Sequence, residues 1–168
     1  MERYWRQISS IHLLTKHYLL IAEEMGECTF IQPLKEHRDA YDHIVRIYGV
    51  EFSDKEIDNL KQYKVDNMKK ALGHEYRAFF DTADWLALVC RKRIRELLAG
   101  KERDDIIEAL PEYLTMKEKL ISYPIKIAEL RERKDIGDAN GMLSEVREYR
   151  DILDDLLDSY YKVHDVFG

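Results

Sequence analysis

The 168-residue chain has little of what breaks or cross-links a backbone: 3 prolines, 7 glycines and 2 cysteines. Glycine and proline this scarce exclude a collagen-like chain. Cys28 and Cys90 alone make neither a disulfide framework nor a C-x-x-C zinc pattern. No basic stretch leads into an apolar run with a small-residue cleavage site, so a reducing, cytoplasmic setting is expected. The longest apolar run, residues 11–22, is interrupted by His12, Thr15, Lys16 and His17. A membrane span needs about 20 mostly apolar residues, so no membrane association is expected.

Several chemical signatures are missing too. No Glu-x-x-His occurs, which the di-iron bundles need, and His12 and His17 are five apart instead of the four that share a helix face. Neither G-x-x-x-x-G-K-[ST] nor G-x-G-x-x-G is present, which removes the familiar phosphate-cradling loops. The stretch 138–141 lacks EF-hand ligand spacing, and the acidic residues Asp154, Asp155 and Asp158 read as a solvated face. No metal and no cofactor is therefore expected. Cys90 lies on an apolar helical stripe, where a buried thiol is expected in place of a nucleophile.

What is there is helix. Apolar residues make up 45% and charged residues 36%, enough burial to offset chain entropy. No segment alternates apolar and polar with period two for long enough to make a strand. Residues 2–26 carry Ile8, Ile11, Thr15, Tyr18, Ala22 and Met25 at helical spacing, with Gly26 as a stop. A second helix around Pro33 shows Phe30, Leu34, His37, Tyr41, Ile44 and Tyr48 and ends at Gly49. Ser53 with Glu56 reads as a capping box opening a third helix that meets no strong stop before Gly100, with Gly73 as a possible kink.

In the last third, Tyr113, Met116, Leu120, Tyr123, Ile127 and Leu130 alternate steps of three and four, as do Met142, Val146, Tyr149, Leu153, Leu156, Tyr160 and Val163. With the Gly137–Gly141 turn between them, they predict an antiparallel helical hairpin. Pro124 should kink or restart its first arm. The expected fold is all-α: an elongated bundle of about five helices with a C-terminal antiparallel hairpin. Residues 1–100 form the bundle core and 101–168 the hairpin, packed on the core as one domain.

The charge of −6 is unevenly placed. Residues 1–100 carry 16 basic and 16 acidic groups, whereas residues 101–168 carry 11 and 17. Phosphate backbones are bound by Lys and Arg that release counterions. Duplex DNA is thus not an expected partner, while the neutral first hundred residues leave RNA open.

Within those residues a motif repeats. Residues 36–42 read Glu-His-Arg-Asp-Ala-Tyr-Asp and residues 75–81 read Glu-Tyr-Arg-Ala-Phe-Phe-Asp, both fitting Glu-x-Arg-x-x-x-Asp. Arg and Asp four apart can pair on one helix face. Glu36, His37, Asp42, His74, Glu75, Arg77 and Asp81 therefore form a candidate polar cluster, either a binding pocket for a phosphate-containing ligand or a set of structural ion pairs.

Arg38-Asp39-Ala40-Tyr41-Asp42-His43 resembles the Arg-x4-His signature of the HEPN superfamily, small helical domains of which several are metal-independent RNases. The resemblance implies His43 as catalytic histidine, Arg38 as its partner and Asp39 at the usual polar position. It also implies a homodimer, since two such motifs usually meet across one. An imidazole with a pKa of about 6.5 can take a 2′-hydroxyl proton at neutral pH, and a guanidinium can stabilise charge developing on phosphate. Two readings stay open: an RNA-binding or RNA-cleaving domain, and a non-enzymatic oligomerisation module whose charged motifs are structural.

Overall fold

A computed structural model of the chain describes residues 1–52, 57–134 and 142–168, with the side chains of Lys134 and Met142 excepted. The expected capping box at Ser53 and the Gly137–Gly141 turn lie outside the described residues. Among the described residues there are six α-helices and no strand: α1 (Glu2–Gly26), α2 (Ile31–Gly49), α3 (Leu60–Leu98), α4 (Arg103–Ala109), α5 (Tyr113–Lys134) and α6 (Met142–Phe167). A 3-10 turn, Val50–Phe52, follows α2. Five of the helices correspond to the periodic segments of the sequence, and all of these but α2 bury most of the expected stripe. The sixth, α4, is only 7 residues long, too short to show a repeat. No described helix is long and apolar enough to cross a membrane.

The chain divides into two compact units, Met1–Thr82 and Ala83–Gly168, with the boundary inside α3. In the first unit α1 buries Ile8, Ile11, Thr15, Tyr18, Leu19 and Ala22. The α3 segment of this unit contributes Met68, Ala71, Leu72, Tyr76, Phe79 and Phe80. The helix α1 runs through Gly26, and Glu27 takes the left-handed cap at φ 54°. Glu23 then accepts a hydrogen bond from the Phe30 backbone N–H at 3.2 Å, tying the end of α1 to the start of α2.

The helix α2 is set differently from the stripe its sequence suggested. It buries only Pro33, Ala40 and Ile47, seven residues apart, while Leu34, Tyr41 and Tyr48 are exposed. Pro33 falls in the first turn, where backbone N–H groups have no intrahelical partner to lose. Ala40 lets α2 approach closely, and the half-buried residues around that seam are mostly polar, Glu36, His37, Asp39 and His43, with Ile44 beside them.

In the second unit α3 ends where Gly100 adopts φ 74°, the left-handed stop that glycine takes without steric cost. The seam residues Met116, Tyr123, Ile127 and Leu130 of α5 are buried, as are Val146, Tyr149, Leu153, Leu156 and Val163 of α6. Ile94, Leu110, Met116 and Val163 form one apolar cluster. Polar pairs join α5 to α6: Lys119 to Asp155 at 2.7 Å, Arg133 to Glu148 at 2.9 Å, and the Tyr123 hydroxyl to Asp155. The helix α5 continues through Pro124.

Candidate functional site

The two copies of Glu-x-Arg-x-x-x-Asp sit on α2 and α3, and their charges pair mostly across the helices. Arg38 does not reach Asp42. It donates to its neighbour Asp39 at 2.7 and 2.9 Å, while Asp42 pairs with Arg46 at 2.6 Å on the solvent side. Arg77 reaches from α3 to α2, donating through Nε to Glu36 at 2.9 Å. His74 Nδ1 lies 2.8 Å from the same Glu36 oxygen. Asp81 is half-buried, one turn beyond Arg77 on α3.

Glu36, Asp39 and His43 project from one side of α2 because they recur at steps of three and four. They meet Asn67, His74 and Arg77 of α3. The His43 and His74 rings stack, with centroids 5.4 Å apart and planes inclined by 28°. Asn67 donates through Nδ2 to the Tyr63 carbonyl at 3.0 Å, which turns its Oδ1 toward His43 Nδ1 at 2.9 Å. That oxygen can only accept, so His43 Nδ1 carries the proton and Nε2 keeps its lone pair in the neutral ring.

His74 has a partner in either protonation state. With a proton on Nδ1 it donates to Glu36. Without one, Nδ1 accepts from Arg77 Nη2, 2.6 Å away. Burial works against a charge on Glu36, but hydrogen bonds from His74 and Arg77 outweigh it and hold the carboxyl below its ordinary value. The Arg38 hydrogen bond lowers Asp39 in the same direction, with smaller contributions from the nearby His74 and His43 rings. Arg38, Asp39, His43 and His74 thus belong to one electrostatic neighbourhood, in which Arg38 is the outermost group, 72% exposed.

The structure draws His37 and Glu75 into a separate cluster. Glu75 is buried on α3, its side chain 4% exposed. His37 Nδ1 of α2 lies 3.0 Å from its Oε2, and His12 Nδ1 of α1 lies 3.2 Å from both its oxygens. His12 was passed over in the sequence because its spacing to His17 is wrong for one helix face. Its partners come from 25 and 63 residues away, which no local spacing can reveal. Asn67 likewise carries no motif and joins the polar face through the ring it orients.

The cluster borders a cavity of about 310 Å³ whose other walls include Trp5, Ile8, Leu13, Tyr41 and Ile44. No protein-family model matches the chain, and searches of curated proteins and of solved structures find no match either.

Proposed function

We propose that the α2–α3 polar face is a HEPN-like RNA-binding or RNA-cleaving site that uses Arg38 and His43, with His74 as a second imidazole. The observation that carries this reading is the stacked pair His43/His74, in which His43 has a fixed tautomer and His74 a partner in each protonation state. In a cleavage step His43 Nε2 takes the 2′-hydroxyl proton, the 2′-oxygen attacks phosphorus, and the 5′-oxygen leaves with a proton from His74. The products are a 2′,3′-cyclic phosphate and a 5′-hydroxyl. Arg38, exposed beside Asp39, meets the phosphate as an always-charged donor.

A single-stranded oligoribonucleotide incubated with the protein in EDTA tests it. His43→Ala and Arg38→Ala should abolish cleavage with little change in melting temperature, and a 2′-deoxy substrate should stay intact. A wild-type protein that neither binds nor cuts RNA overturns the reading.

A second reading, assembly through an antiparallel α5–α6 hairpin to a cytoplasmic homodimer, is favoured by one observation. Leu114, Ile121 and Ile125 form an exposed apolar line on α5, the two isoleucines 65% and 62% exposed. Sedimentation of Ile121→Ser/Ile125→Ser against the parent tests it, and a monomeric parent sinks it.

A further inference from the structure

We infer that His12, His37 and Glu75 form a three-ligand site for a divalent transition-metal ion of the zinc class, with an open position on the neighbouring cavity. This goes beyond the RNA reading and stands or falls separately from it.

The donor set fits first. Two imidazoles and one carboxylate are the ligands of catalytic zinc sites that keep a fourth position free, and imidazole nitrogen with carboxylate oxygen suits ions of this borderline class. The distances fit next. The candidate donor atoms of the three residues all lie within 4.8 Å of one another, and the nitrogens stand 3.0–3.2 Å from the carboxylate oxygens. Ligands held about 2.0–2.1 Å from a tetrahedral zinc are about 3.3 Å apart, so the nitrogen–oxygen spacings already suit the ion, and side-chain rotation need only close the widest separation, which is no more than 4.8 Å.

Two further observations separate this arrangement from an ordinary hydrogen-bonded cluster. His37 Nδ1 is buried and has no hydrogen-bond partner among the described residues, although a carboxylate oxygen is 3.0 Å away. A buried polar atom without a partner is costly and rare, and a metal ion beside the carboxylate would use its lone pair.

The second observation is charge. A buried carboxylate needs compensation, yet the groups paired with Glu75 are two imidazoles, which carry charge only when protonated. No lysine or arginine is among the residues lining the cavity. A dication would balance Glu75 and leave a net positive centre able to polarise a bound water or a carbonyl.

Three helices supply one ligand each, so the ion would also fasten α1, α2 and α3 together. Binding to the folded chain alone must stabilise it. The apolar walls, Trp5, Ile8, Leu13 and Ile44, select a small molecule with an apolar body and one metal-binding oxygen or nitrogen.

The test is calorimetric titration of the chelator-treated full chain with Zn²⁺, with melting curves in parallel. One ion should bind per chain and raise the melting temperature. His12→Ala should weaken binding by more than about 100-fold, beyond the loss an outer-shell change causes. His12 is 45% exposed, so this variant keeps its fold where Glu75→Gln could fail. His17→Ala, on the exposed side of α1, and His43→Ala, in the separate polar face, should bind as the parent does. Failure of the parent to bind Zn²⁺, equal binding by His12→Ala, or loss of binding in His43→Ala overturns the proposal.

Discussion

Glu36 and Glu75 each lie against the histidine that neighbours the other in sequence: His74 is 2.8 Å from Glu36, and His37 is 3.0 Å from Glu75. The repeated motif is therefore a reciprocal clasp between α2 and α3. Each glutamate meets its histidine only when α2 and α3 are docked.

Glu36→Gln should lower stability by about 1–3 kcal/mol at pH 7, because the amide keeps an acceptor oxygen but loses the negative charge that strengthens the hydrogen bonds from half-buried His74 and Arg77. Its native pKa is depressed, so its contribution is present above the unfolded carboxyl value, about 4.3, and is lost as pH falls through the native one. Urea unfolding from pH 7 down to pH 3 should show a shallower acid decline in the variant than in the parent. Equal slopes would contradict the assignment.

The two cysteines should react in sequence. Cys28 is exposed and Cys90 buried, where the apolar surroundings push the Cys90 thiol up to about 12. An aromatic disulfide reagent at pH 8 should label one thiol per chain at once and the second only in denaturant. Prompt labelling of both would place Cys90 outside the core. Since the folded value is raised, the stability Cys90 contributes is complete below the unfolded thiol value and fades as pH climbs from about 9 toward 12.

Tyr149 donates to Asp84 at 2.6 Å, and burial followed by that carboxylate raises its phenol. Tyr149→Phe should cost about 1–3 kcal/mol at pH 7. Because the folded value is raised, the parent should also lose stability as pH passes about 10, where the unfolded phenol ionises. The variant should lack that part of the alkaline decline, measurable by denaturant melts at pH 9 and 10.5.

Gly73 and Gly100 should respond in opposite directions to alanine. A Cβ at Gly73 meets only Arg77 Nη1 at 3.6 Å, an ordinary contact, so Gly73→Ala should stabilise α3 by up to about 1 kcal/mol. At Gly100 the left-handed backbone penalises a Cβ, and Gly100→Ala should cost about 1–2 kcal/mol. Thermal melts of the two variants decide it.

Much of the architecture was legible because it depends on local periodicity. The buried positions of α5 and α6, from Met116 to Leu130 and from Val146 to Val163, follow steps of three and four that the sequence displays. The stripe of α2 misled because Leu34, Tyr41 and Tyr48, though apolar and at helical spacing, face solvent. The seam instead uses Pro33, Ala40 and Ile47, which leave room for a close polar interface. The repeated motif was visible, but its pairing was not. Arg38 takes Asp39 in preference to Asp42, and Arg77 finds Glu36, 41 residues away. The gathering of His12 with Glu75 is a tertiary event, 63 residues apart in the chain.

The narrow seam of α2 has a consequence for dynamics. A helix of 19 residues that buries three, only one of them a large aliphatic, has a small hydrophobic hold on its unit. Its amide protons should exchange through a local opening well below the free energy of global unfolding, ahead of those in the adjoining part of α3. Each such opening removes Glu36, Arg38 and His43 from one cluster and His37 from the other. Salt, which weakens charge pairs more than apolar contacts, then becomes a means of tuning how often both clusters exist at all.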